Sequence, residues 1–179
     1  MSKPEHDRIV ALDLDGCVRL LVPAGDLGYP RDRLMTAGQC RSYFEQGCVW
    51  QLNQLLHATG ARFIIISTQR LLHEWAVLLD AFHHSGIDMA HLHPDANVPW
   101  TGTRTRDIEE WLAAHPGVTD WCVIDDEPKH YETWQHRDKV FMPNNRYGLQ
   151  ASTKDRIIAH LLGQPKPLEY GQDIPDDTL

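Results

Sequence analysis

The chain is short of cationic side chains: 17 Lys and Arg stand against 25 Asp and Glu, for a formal net charge of -8. That balance argues against a broad surface for nucleic acid or anionic membrane, since such partners are drawn mainly by Lys and Arg; a local basic groove remains compatible with it. The chain also lacks any run near the roughly 18 apolar residues of a membrane span. Its polar start, Met1 to Arg8, has no signal-peptide core. A cytoplasmic protein with no membrane partner is the expectation. Cysteine is sparse too. Cys17, Cys40, Cys48 and Cys122 form no Cys-x-x-Cys pair and no dense secreted-type spacing, so they read as reduced thiols, with Cys17 a small buried side chain. The histidines include His83-His84 and His91-Leu92-His93, but without Cys or acidic partners at ligand spacing they read as solvated or helix-end residues rather than a zinc site.

What is present is a globular composition, 42% hydrophobic and 23% charged over 179 residues, enough for one domain to enclose a core without disulfides or structural metal. Ile9 to Leu14 is an apolar run stopped by Asp15-Gly16, a buried strand ending in a tight loop. Residues 19–47 carry Pro23, Gly25, Gly28 and Pro30 with no sustained periodicity, which predicts a flap or small lid. Val49, Leu52, Leu55 and Leu56 fall at helical spacing, and Gly60 follows where a helix end prefers glycine. Phe63 to Ile66 is a second buried strand, ending in Ser67.

Leu71, Leu72, Trp75, Leu78, Leu79 and Phe82 mark one face of a helix that Gly86 ends, and Ile87 to Leu92 is a weaker strand candidate. A helix from Thr105 to Ala114 turns Ile108, Trp111 and Leu112 inward. Trp121 to Ile124 is a strand stopped by Asp125-Asp126, and Val140 to Met142 a short final one. Ser152 with Asp155 resembles a capping box opening a last helix that carries Ile157, Ile158, Leu161 and Leu162. Residues 1–162 thus read as one domain, and 163–179, rich in proline and acid, as a loose tail or strap. Trp75 and Trp111 are expected in the core, with Trp50 and Trp100 at the site's entrance.

Strands alternating with helices predict an α/β, Rossmann-like three-layer sandwich with a mostly parallel central sheet. Ligands of such sheets bind outside the carboxyl ends of the strands. Asp13 and Asp15, Ser67, and Asp125 and Asp126 each follow an apolar strand directly, so they converge on one edge. Carboxylates gathered together repel one another and call for a cation, and hard oxygen ligands point to Mg²⁺. Ser67 offers a hydroxyl to a phosphate oxygen. Arg104 and Arg106, at the start of the Thr105 helix, add charge where the helix dipole also favours an anion.

With these motifs in order, the chain resembles the haloacid-dehalogenase-like (HAD) superfamily, whose apolar strand followed by Asp-x-Asp-Gly is matched by Asp13-Leu14-Asp15-Gly16. Ile64-Ile65-Ile66-Ser67 matches its second motif, and Val123-Ile124-Asp125-Asp126 its fourth. The third motif, normally Lys, is matched by Arg104, with Arg106 the rival. A closer resemblance is to the small, minimally capped phosphatase-like domains of nucleic-acid repair proteins. It is carried by Thr59-Gly60-Ala61-Arg62 before the second strand, by Ser67 followed by Arg70, and by Gly102-Thr103-Arg104 ahead of the acidic pair; Gln69 stands where those domains usually have Trp.

The resemblance implies an Mg²⁺-dependent phosphomonoester hydrolase. Asp13 is then the nucleophile that becomes an aspartyl-phosphate and Asp15 the acid/base, while Ser67 and Arg104 hold the phosphoryl oxygens. It implies Mg²⁺ on Asp13, Asp15 (through its carbonyl), Asp125 and Asp126, and substrate contacts from Gly16, Thr68, Arg70 and Arg106. Neither place where the superfamily inserts a large cap has room for one here. An open site suits a bulky phosphorylated substrate such as a nucleic-acid end or phosphoprotein, and a nucleotide also fits. A catalytically silent binding module and a phosphotransferase are the alternatives.

Overall fold

The computed structural model describes residues 7–19, 44–165 and 167. Five strands, β1 (Asp7–Leu12), β2 (Arg62–Ile65), β3 (Leu92–Asn97), β4 (Val118–Ile124) and β5 (Val140–Phe141), form one sheet in the order β3-β2-β1-β4-β5. Every pairing of these strands is parallel, in line with the expected parallel central sheet. Parallel neighbours need crossover connections. The described helices are α1 (Gln46–Thr59), α2 (Gln69–Leu72), α3 (Trp75–Ser85), α4 (Arg104–Ala114) and α5 (Ala151–Leu161).

Strand parity accounts for the two cores. Val10, Leu12, Phe63, Ile65, Cys122 and Ile124 point to one face and meet Leu52, Leu55 and Leu56 of α1, Phe82 of α3 and Ile157 of α5. Ile9, Ala11, Ile64, Ile66 and Val123 point to the other and meet Ile108 and Trp111 of α4 with Tyr131 and Trp134. β1 is therefore buried on both sides, as an unbroken apolar run requires. Burial of a side chain the size of Leu12 or Phe63 stabilises the fold by about 2 kcal/mol. Gly60 and Gly86, both left-handed at φ 66° and 82°, end α1 and α3 as their positions predict.

Several local expectations give way. The stretch from Leu71 to Phe82 breaks at His73 and Glu74 into α2 and α3, because α2 turns Gln69 and Arg70 inward and leaves Leu71 and Leu72 exposed. Ile87 to Leu92 is a turn ending in one round of 3-10 helix, and the strand begins at Leu92 and runs through Pro94. Proline is tolerated there because β3 is an edge strand. α5 is capped at Gln150, with Ser152 inside its first turn, so Ser152 and Asp155 form no capping box. Trp111 is buried, Trp75 is half-buried, and Trp50 stands exposed beside Lys154.

Most of the 19–47 flap and of the 163–179 tail lies outside the described residues. On either side of the first, Glu45 donates its N–H to the Val18 carbonyl at 2.9 Å. Between Ser67 and Arg104 the chain holds only α2, α3, a single 3-10 turn and β3, with no inserted cap. Cys17, Cys48 and Cys122 are free and buried; Cys40 lies outside the described residues. No described helix is long and apolar enough to cross a membrane.

The chain steps outward from β1 to β2 and β3, then returns across the sheet to place β4 on the other side of β1. The connections therefore diverge at the carboxyl ends of β1 and β4, where such a sheet opens a crevice.

Candidate active site

β1 and β4 run with Leu12 opposite Ile124, so the residues that follow them emerge side by side. Asp13 donates its N–H to the Ile124 carbonyl at 2.9 Å and Asp125 to Phe141 at 3.2 Å. Ser67 comes in from β2 behind Ile66, whose N–H donates to Leu12 at 3.1 Å. All three are almost fully buried. Arg104 meets them from the first turn of α4, a start set by Thr103, whose Oγ1 accepts the Arg106 N–H at 3.3 Å. Its Nη2 lies 3.2 Å from Asp13 Oδ1, and its Nη1 donates to Asp125 Oδ2. Asp125 also accepts the Tyr131 hydroxyl at 2.5 Å and the Glu127 N–H at 3.0 Å.

One arginine does not neutralise this set. Burial pushes the Asp13 carboxyl up to about 7; Asp125 and Asp15 add to the rise, while Arg104 and the Ser67 hydroxyl oppose it. Burial and Asp125 likewise raise Asp126 to about 6. Asp13 Oδ1 is buried without a hydrogen bond, its approach to Arg104 lacking the geometry for one. Asp13, Cys17 and Asp126 offer atoms within 4.8 Å of one another. The Cys17 thiol is held well above its ordinary range by burial and the nearby acids, so it stays protonated and is a poor ligand.

The Asp13 oxygen that accepts no hydrogen bond and the two raised carboxyls fit a hard divalent cation such as Mg²⁺, which prefers oxygen and favours the ionised form of its ligands. Asp126 presents its carboxylate beside Asp13. Asp125, already engaged by Arg104, Tyr131 and Glu127, holds Arg104 and has little capacity left for a metal. Gly16 makes this arrangement possible: its φ is 72°, and a Cβ there would stand 2.1 Å from Asp126 Oδ2. The glycine leaves room for Asp126, so the structure places it against a candidate metal ligand.

Asp15 sits less deeply, with Arg19 Nη1 2.7 Å from Oδ1 and Gln69 Nε2 donating to Oδ2 at 2.7 Å. Thr68 is exposed at the start of α2. The two other arginines expected at substrate are placed elsewhere. The Arg70 side chain is wholly buried, donating to the carbonyls of Val98 (2.6 Å), Ser67 (2.7 Å) and Ile66 and to Asp107 Oδ2 (2.5 Å). Asp107 also accepts the Thr101 N–H and hydroxyl at 2.7 and 2.8 Å. Arg70 thus ties the Ser67 turn to α4, and Trp100 lies half exposed over its guanidinium at 5.9 Å. Arg106, two residues and about 200° of helix beyond Arg104, faces solvent and pairs with Glu110 at 2.7 Å.

Tyr131, Arg19, Gln69 as a partner of Asp15, and Asp107 are the residues that sequence reasoning missed. Tyr131 lies in a loop without periodicity, and Gln69 and Asp107 look like ordinary helical polar residues until their partners are known. Two histidine groups do acquire acidic neighbours, His57-Asp88-His91 and His93-Asp95-His115. In the first, His57 Nε2 lies 2.7 Å from Asp88 Oδ2, the distance of a hydrogen-bonded surface pair. In the second, His93 Nδ1 accepts the Asp95 N–H at 3.0 Å, which spends that lone pair and places the proton of the neutral ring on Nε2.

An all-parallel sheet with acids gathered at the crevice between its central strands is the frame of the haloacid-dehalogenase-like hydrolases, and this chain has that fold. A family model described as "HAD domain in Swiss Army Knife RNA repair proteins" matches residues 9–153, and the chain belongs to that family. No curated protein and no solved structure matches it.

Proposed function

We propose that the protein is a Mg²⁺-dependent phosphomonoester hydrolase that works through an aspartyl-phosphate on Asp13 and acts on the terminal phosphate of a nucleic acid or on a nucleotide. The observation that carries the reading is the buried Asp13 carboxylate, with one oxygen that accepts no hydrogen bond, set between the cation Arg104 and the acids Asp125 and Asp126. Catalysis of phosphoryl transfer is mainly positioning and charge stabilisation. Asp13 and Asp126, with the Asp15 carbonyl and the remaining capacity of Asp125, would hold the metal. When bound, it supplies charge that screens the incoming phosphate from the nucleophile.

Asp13 attacks phosphorus while the bond to the leaving oxygen breaks, and Asp15 gives that oxygen its proton. Asp15 then takes a proton from water, the water oxygen bonds to phosphorus, and the Asp13–phosphorus bond breaks, returning both carboxyls to their starting state. Ser67 and Arg104 hold the equatorial oxygens. Arg104 stands where the superfamily has lysine, and its planar fork reaches Asp13 and Asp125 at once. The absence of an inserted cap between Ser67 and Arg104 is compatible with a large substrate, and the RNA-repair setting of the family favours a nucleic-acid end.

The test is a panel of phosphorylated metabolites, nucleotides and end-phosphorylated oligonucleotides with Mg²⁺, using Asp13→Asn as the blank. Metal-dependent phosphate release that the blank lacks is the expected result, strongest on an oligonucleotide end. A panel with no turnover at all overturns the reading in favour of a silent binding module. Product carrying the phosphate on an added alcohol or nucleoside would make it a phosphotransferase.

A further inference from the structure

The two oxygens of Asp15 are met differently, Oδ1 by an ion pair without a hydrogen bond and Oδ2 by a hydrogen bond. Arg19 reaches Oδ1 from the same loop, four residues on, whereas Gln69 reaches Oδ2 from α2. A carboxylate only accepts, so the Gln69 amide nitrogen must face Asp15 and the amide oxygen must face away. There it meets His73 Nε2 at 3.0 Å. An amide oxygen also only accepts, so His73 donates from Nε2 and its Nδ1 carries no proton. Nδ1 is buried and has no partner, and burial together with Arg19 lowers the ring's affinity for a second proton. The order of donors is therefore forced: His73 Nε2–H to Gln69 Oε1, then Gln69 Nε2–H to Asp15 Oδ2. The pair is built into the single turn of α2, since the His73 N–H also donates to the Gln69 carbonyl at 3.1 Å.

We propose that Gln69, oriented by His73, is a positioning residue for Asp15 in phosphoryl transfer, an inference that rests on the hydrolase reading above. An acid/base carboxyl must present the same oxygen twice, first to the leaving group and then to water. Gln69 offers Oδ2 only a donor, so a proton cannot sit between them, and proton traffic is confined to Oδ1. Arg19 lies 2.7 Å from Oδ1 without hydrogen-bonding to it, so that oxygen keeps its capacity to carry the proton. The hold on Oδ2 keeps the carboxyl plane in place through both proton transfers.

The experiment compares wild type with Gln69→Leu, His73→Leu and His73→Gln on two monoesters in the presence of Mg²⁺. An alkyl phosphate has a leaving oxygen that needs the proton; nitrophenyl phosphate has one that does not, and its first-turnover burst reads the leaving-group step alone. Gln69→Leu should lower kcat on the alkyl ester about 10- to 100-fold, with KM and the nitrophenolate burst within about threefold. His73→Leu should move the same way, and His73→Gln, which restores a donor to Gln69 Oε1, should recover most of the rate. A nitrophenolate burst slowed as much as turnover of the alkyl ester, a loss confined to KM, or His73→Gln no better than His73→Leu overturns the proposal. A wild type silent on both esters and on every member of the panel above defeats the hydrolase reading itself, and is seen before any variant is made. The hold is also readable without turnover, as a displaced Gln69 side-chain amide proton resonance that collapses in Asp15→Ala and in His73→Leu. An amide signal indifferent to Asp15→Ala overturns the proposal whatever the kinetics.

Discussion

Replacing Asp13 with asparagine should abolish turnover and make the metal-free protein more stable. The Asp13 carboxyl is raised from its ordinary 3.8 to about 7, with burial the leading cause. In the unfolded chain it ionises near the ordinary value. The neutral form's contribution to stability is thus complete below about pH 4 and is lost as pH rises through about 7, because over that range the folded state binds the proton that the unfolded state has released. At about 1.4 kcal/mol per tenfold change in proton affinity, ionised Asp13 costs the fold about 4 kcal/mol at pH 8.

Asparagine mimics the neutral carboxyl in size, so Asp13→Asn removes that cost. The variant should melt about 10 °C higher than wild type at pH 8 without metal, taking about 2–4 °C per kcal/mol for a chain of this size. At pH 5 wild-type Asp13 is protonated when folded, and the advantage should fall to under about 2 kcal/mol. Mg²⁺ at pH 8 should stabilise wild type far more than the variant and so narrow the gap. Thermal melts of both proteins at the two pH values, with Mg²⁺ or a chelator, give all of these numbers. An Asp13→Asn protein that is less stable at pH 8, or whose advantage is the same at pH 5, would refute the reasoning.

Two further outcomes bear on the frame of the site. Arg70→Met should destabilise the protein by about 3–5 kcal/mol, because it leaves the buried Asp107 carboxylate without its cation; a loss under about 1 kcal/mol in denaturant unfolding would return Arg70 to the substrate side. Gly16→Ala should cost about 1–2 kcal/mol for a side chain at positive φ, and calorimetric titration should show weakened Mg²⁺ binding because the new methyl displaces Asp126. Undiminished binding would remove Asp126 from the metal set.

The residues at the strand ends were legible because their signal is local. A short apolar run with β-branched residues such as Ile9 to Leu12, stopped by Asp15-Gly16, reads as a strand buried on both faces, and the polar residues that stop it then lie at the sheet's edge. Asp13, Ser67 and Asp125 follow from that argument alone. The arginines did not, because a guanidinium on a flexible three-carbon arm can serve substrate or scaffold, and nothing local says which. Arg104 and Arg70 follow comparable turns and are both buried, yet one meets Asp13 while the other disappears beneath Ser67 against Asp107. Helix phase separated Arg106 from Arg104, and that phase depended on where Thr103 capped α4.

The order of apolar runs and the residue ending each one determined the α/β class, the parallel sheet and the edge on which the acids gather, since burial dictates period and period dictates facing. Only the tertiary structure decided how those acids divide. It gave Asp125 to Arg104 and Tyr131, set Asp126 beside Asp13 in the space that Gly16 leaves, and tied Asp15 to Gln69 and His73. Each of these partners comes from a different part of the chain. Hydrogen bonds and ion pairs act over a few ångströms of space whatever their separation in sequence, so no local pattern could carry them.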